Sequence, residues 1–244
     1  QQNCNWVRAL GSHRHQNQTG SNPGFDQNTF GMAAGRQQQL SNGMFFEFGG
    51  QYERSNLSGD NFSQDGFIFS GGAALKREVG NLTFSASAIA GLYETDYDRR
   101  YTTTDGSFLA AEARVTGLFQ RNGFYGKPAL ALSVNRTWQD NFSETGTGQL
   151  NWQVNSLNQT SVALRPSIEV GRAFSKNDKA GVLFLRTGVT GYLTGQDYNV
   201  TAHFADLGTE FPDLTSIYSD DRFIGDVALG MNLDLQNNLT FSGL

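Results

Sequence analysis

Between Ser107 and Val134 the chain reads SFLAAEARVTGLFQRNGFYGKPALALSV, and alternate positions differ in kind. Leu109, Ala111, Ala113, Val115, Gly117 and Phe119 are apolar or small, while Glu112, Arg114, Thr116 and Gln120 lie between them. After Asn122-Gly123 the alternation resumes, with Leu130, Leu132 and Val134 set against Ala129, Ala131 and Ser133. Side chains of a strand point to opposite faces with period two, so this is two strands. Asn-Gly between them suits a tight type I′ hairpin turn.

The same pattern recurs along the chain. Phe46, Phe48 and Tyr52 oppose Glu47, Gly49 and Gln51; Val7 and Ala9 oppose Arg8. Val162, Leu164, Pro166, Ile168 and Val170 oppose Arg165, Ser167, Glu169 and Gly171. Leu183, Leu185 and Val189 oppose Arg186 and Gly188; Phe223, Val227, Leu229, Met231 and Leu233 oppose Asp226, Gly230 and Asn232. The pattern predicts strands over 4–12, 28–40, 44–54, 66–79, 82–96, 107–121, 124–138, 158–175, 179–194 and 222–236, with another starting at Leu239. Most exceed the usual five or six residues and reach the nine to eleven that cross a bilayer when tilted.

The connections alternate in length. Short turns at Ser41–Gly43, Gly80-Asn81, Asn122-Gly123, Lys176–Asp178 and Asn237-Asn238 alternate with long polar stretches at His13–Asp26, Ser55–Asp65, Asp96–Gly106, Gln139–Leu157 and Gly195–Asp221. An outer-membrane barrel has this order, with short periplasmic turns and longer extracellular loops. The faces therefore read inside out. Apolar residues meet lipid, and Arg8, Glu47, Glu112, Arg114, Arg165, Glu169, Arg186 and Asp226 line a wet lumen, where small residues leave room and opposite charges pair. Aromatics near strand ends, among them Phe45, Tyr52, Tyr93, Phe119, Tyr125, Trp138, Tyr192 and Phe223, suit interfacial girdles.

Composition agrees. Glycine (29) and phenylalanine (19) are abundant and proline is scarce (4), which suits long strands and tight turns. No run of 18 apolar residues forms a transmembrane helix. The net charge of −5 argues against a nucleic-acid surface. Only four of the 18 basic residues are lysine, and arginine is the cation for forked contacts in confined places. One cysteine, Cys4, forms no internal disulfide.

In order along the chain, NWVRALGSH (5–13), FDQNTFGMAAGRQQQLSNGMFFEFGGQYERSN (25–56), NGFYGKPALALSVNR (122–136), SVALRPSIEVGRAF (161–174) and DDRFIGDVALGMNLDLQNNLTFSGL (220–244) resemble the translocator domain of autotransporters, the type V secretion proteins of Gram-negative outer membranes. The resemblance implies an all-β fold, a transmembrane antiparallel β-barrel of 12 strands formed as one domain over residues 1–244. The last strand is missing from this chain, and about 15–25 further residues are expected beyond Leu244. It also implies an N-terminal passenger whose linker helix occupies the lumen, and outer-membrane lipid and the barrel-assembly machinery as partners. An alternative is a standalone outer-membrane barrel acting as a pore, or as a surface-binding protein through its loops. Trp152, Phe204, Phe211 and Tyr218 on the two longest loops suit partner contact or a plug over the barrel mouth.

No catalytic, metal or cofactor site is expected. The three histidines, His13, His15 and His203, all lie in predicted loops. The imidazoles of His13-Arg14-His15 share one face if extended, but no Cys, Asp or Glu stands close in sequence to complete a metal set. No Ser-His-Asp grouping can be assembled. In some autotransporters lumenal acids assist passenger cleavage. For Glu112 and Glu169, pairing with Arg114, Arg165 and Arg186 is the expected role.

Overall fold

A computed structural model describes residues 3–18, 24–40, 43–59, 62–97, 102–145, 151–176, 179–195, 197–204, 214–219, 222–235 and 239–243. The backbone is nearly all strand: β1 (Cys4–Gln16), β2 (Phe25–Gln39), β3 (Met44–Gly59), β4 (Phe62–Val79), β5 (Leu82–Tyr97), β6 (Thr102–Gly117), β7 (Phe119–Arg121), β8 (Phe124–Gln139), β9 (Phe142–Ser143), β10 (Trp152–Val154), β11 (Leu157–Lys176), β12 (Lys179–Thr194), β13 (Asp197–Phe204), β14 (Leu214–Ser219), β15 (Phe223–Leu235) and β16 (Leu239–Gly243).

One antiparallel sheet runs β1-β2-β3-β4-β5-β6-β8-β11-β12-β15-β16. The short β7 continues β6 without a register change: Thr116 stands opposite Ala129 and Phe119 opposite Gly126. The wall therefore has eleven crossings, the last of five residues, and the expected twelfth is not among the described residues. The sheet curls into a half-barrel. The predicted turn is present, with Asn122 at φ 52° and Gly123 at φ 78°. Asn tolerates this left-handed region better than most side chains, and Gly enters it freely.

Strands extend beyond their predicted ends. β1 reaches Gln16, β3 Gly59, and β6 begins at Thr102. Polar residues such as Asn56 and Asp65 continue the ladder above the apolar band, directly opposite each other. The two longest expected loops are also partly strand. β9, β10, β13 and β14 form a second sheet in the order β14-β13-β10-β9, with Trp152 opposite Phe204. It is tied to the wall by Thr102 Oγ1 donating to the Ser143 carbonyl at 2.9 Å and by Tyr97 stacked on Phe142. Phe211 lies outside the described residues, as does the Tyr218 side chain.

Register fixes the faces. Val7, Phe30, Met32, Phe48, Phe69, Leu132, Leu164, Val227 and Leu229 are exposed on one side of the wall. On the other, side chains lie across glycines. A methyl on Gly35 would stand 2.4 Å from the Trp6 ring, on Gly106 2.2 Å from Tyr93, and on Gly171 2.5 Å from Tyr125. Gly126 and Gly225, on the apolar side, face open space. Crowding on the polar side and openness on the apolar side make the polar face the concave one. Several aromatics expected in girdles take part in this crowding: Phe45 is buried on the polar face, and Tyr93, Tyr125 and Tyr192 share that face. Their rings fill the volume that glycine vacates.

An arginine at Leu132 should impair insertion by about 2–4 kcal/mol if it lies near the bilayer midplane. An arginine at the adjacent Ser133, on the concave face, should cost much less. Gly171 is no comparable control, because its site is filled by Tyr125. Folding titrations into lipid vesicles read the difference, and equal costs would overturn the assignment of faces.

Candidate functional site on the concave face

Residues paired across adjacent strands point to the same side. Arg8 pairs with Ala33, Ala33 with Gln51, and Gln51 with Ser70. Glu47 pairs with Ala74, Ala74 with Ser87, and Ser87 with Glu112. Arg114 pairs with Ala131 and Ala131 with Arg165. Glu169 pairs with Arg186, and Gly188 with Asp226. All eight charged residues singled out in the sequence thus stand on one face.

Their partners differ in part from those expected. Arg165 Nη2 donates to both carboxylate oxygens of Asp226, each at 2.8 Å. These residues belong to β11 and β15, and β12 runs between them. The contact passes over Gly188, where a methyl would stand 3.1 Å from Asp226 Oδ1 and 3.3 Å from Arg165 Nε. Arg114 and Glu112 pair along one strand, Nη2 to Oε2 at 3.0 Å. Glu169 does not pair with Arg186. It accepts from Tyr125 Oη at 2.8 Å and from Lys127 Nζ at 3.4 Å. Glu47 is held by Lys76. Arg186 keeps a buried Nε without a hydrogen-bond partner, and the Arg8 guanidinium lies 5.9 Å from the Trp6 ring centroid. The sequence reading missed Lys76, Lys127 and Tyr125. Their parity, which puts them on the face of Glu47 and Glu169, could have revealed them.

A second polar group sits at the outer end of the first hairpin, on the opposite face. His13 stands across from Asn28 and His15 across from Asp26, so both belong to strand β1 rather than to a loop. His15 Nδ1 lies 2.8 Å from Asp26 Oδ1, and its Nε2 lies 2.9 Å from Asn17 Oδ1. His203 is on β13, with Nε2 3.1 Å from Gln153 Oε1. Phe30 is the outermost apolar side chain of this face on β2, with Asn28 and Asp26 beyond it, so the histidines lie above the apolar band.

The concave face can hold an extended, charged surface across many strands. The autotransporter β-domain model matches residues 5–243. The chain belongs to the autotransporter β-domain family. Family membership makes it an outer-membrane translocator domain, a transport barrel rather than a member of a catalytic family. Among solved structures, the translocator domain of the autotransporter NalP from Neisseria meningitidis aligns at TM-score 0.71 and 14% identity, covering 99% of this chain and 81% of that one. The β-domain of the Bordetella autotransporter BrkA aligns at TM-score 0.59 and 16% identity, covering 96% and 98%. At such identities these likenesses establish the fold alone. No curated protein matches the chain.

Two outcomes are expected here. In a double-mutant cycle of Arg165→Ala and Asp226→Ala, urea titration of the refolded domain should show coupling of about 0.5–1 kcal/mol, since both side chains keep contact with water. Gly188→Val should remove most of it. For His15, hydrogen bonding to Asp26 and then to Asn17, followed by the Asp26 charge, raises the pKa above its ordinary 6.5. Protonation therefore favours the folded hairpin fully below about pH 6.5, and that contribution is lost as pH rises through the folded-state pKa. NMR titration of labelled histidine should give a midpoint above 6.5 that falls toward it in Asp26→Asn.

Proposed function

We propose that the concave face lines a hydrated lumen through which an N-terminal passenger reaches the cell surface, with the linker segment resting against it. Arg8, Glu47, Glu112, Arg114, Arg165, Glu169, Arg186 and Asp226 are the residues that would meet the linker. The observation carrying this reading is the lattice of charged pairs on one face, set over glycines, behind an exposed apolar face that suits lipid. Fixed charges of both signs hold water and offer hydrogen bonds to a polar chain without binding it tightly. The domain acts without catalysis or cofactor, and its other partners are outer-membrane lipid and, during biogenesis, the barrel-assembly machinery. Its negative net charge gives nucleic acid no purchase.

A surface epitope followed by a linker helix, fused before Gln1 in the full-length protein and expressed in a Gram-negative host, tests the reading. The epitope should become accessible to external protease while the barrel migrates as a folded species. A folded barrel with the epitope retained in the periplasm would overturn it. Ion conductance through such a barrel in planar bilayers would then favour the standalone pore.

A further inference from the structure

Charge on the lipid-facing side of the wall is sorted by end. Near the long connections that side carries Asp26, Asp65, Glu94 and Asp105 beside Arg54 and Arg136. Near the short turns it carries Arg36, Arg77, Arg121 and Arg172, with no carboxylate among the described residues.

Two of these arginines stand in one row. Arg121 on β7 is opposite Phe124 on β8, and Arg172 on β11 is opposite the same Phe124 from the other side. Two strand spacings, about 10 Å, separate their backbones. The Arg172 guanidinium lies 5.1 Å from the Phe124 ring centroid, so it leans toward β8 and Arg121. Both arginines are exposed, and neither has a carboxylate partner among the described residues. Two cations flanking one ring at the bilayer boundary repel each other unless an anion lies between them. Forked N–H donors on both sides fit a phosphodiester. A zwitterionic headgroup would also bring an ammonium, for which this row has no carboxylate.

One row further into the apolar band is a slot. Gly126 stands opposite Phe119 and Val170, and a methyl on Gly126 would meet nothing within 4 Å. Phe119 and Val170 are exposed and wall the gap. Pro128 and Leu130 continue it along β8 toward the bilayer centre. We propose that Arg121 and Arg172 clamp the phosphate of an anionic phospholipid of the periplasmic leaflet, with Phe124 between them and one acyl chain in the Gly126 slot. The site rests on the assignment of the apolar face to lipid, which the Leu132 and Ser133 variants test separately.

Native mass spectrometry of the full-length protein, refolded into nanodiscs of equal phosphatidylglycerol and phosphatidylethanolamine, reads which lipid the barrel retains. The parent should retain phosphatidylglycerol in preference. That preference should fall about fivefold in Arg121→Ala and in Arg172→Ala, the electrostatic share of one arginine near a membrane surface. Arg54→Ala, at the other end of the wall, should leave it unchanged. Gly126→Leu, which fills the slot, should reduce retention of both lipids. All four positions face lipid rather than a packed core, and heat-modified electrophoretic mobility reports that each variant has folded. Equal retention of the two lipids by the parent, or a preference that survives both arginine substitutions, would overturn the site. Undiminished retention in Gly126→Leu, or displacement of the bound lipid by an equal concentration of soluble glycerophosphoglycerol, would overturn the role of the slot.

Discussion

Everything in this wall depends on the backbone ladder. Hydrocarbon offers no partner for an N–H or C=O, so a chain crossing it must satisfy both from within the sheet. Long antiparallel strands do this, and they force side chains to alternate strictly between two environments. A slip of one residue would exchange the environments of a whole strand. Register is therefore the quantity that every other feature requires. It is held from β1 to β15 with one irregularity, at Val162–Ala163.

On the concave face, the same alternation brings charges into a confined space. The fold deals with this through volume. Glycines on a given strand make room for rings and guanidinium groups from its neighbours, so that contacts reach across an intervening strand. Arg165 and Asp226 meet over Gly188 for this reason. The pairs are part-exposed, and their worth lies more in fixing where charges stand than in stability. A surface whose charges are mutually satisfied offers a passing chain many weak contacts and no single strong one.

The faces of β1, β3, β6, β8, β11, β12 and β15 were legible in the sequence because period two survives whatever else the residues do. The eight charged positions followed from that parity. Their partners did not, since pairing depends on stagger between strands and on reach: Lys127 and Arg186 both stand directly opposite Glu169, on β8 and β12, yet only Lys127 reaches it, while Tyr125 reaches it diagonally. Strand ends were also underestimated. Alternation of apolar residues stops where the apolar band stops, at about Phe30 and Phe67, but hydrogen bonding continues through polar pairs above it. The histidine group was hidden for a related reason, because Asp26 is eleven residues from His15 and comes beside it only through the hairpin.

The small sheet over the outer end has a consequence for the order of assembly. Its central pairing joins residue 152 to residue 204, and these lie on connections that leave the wall on either side of β11 and β12. Neither connection can find the other until β8, β11, β12 and β15 stand in sequence. Contacts between distant parts of a chain form after the local ones that bring them together. The outer sheet is thus a late structure, completed only on a wall already built, and its presence on a molecule marks that the C-terminal half has reached its final arrangement.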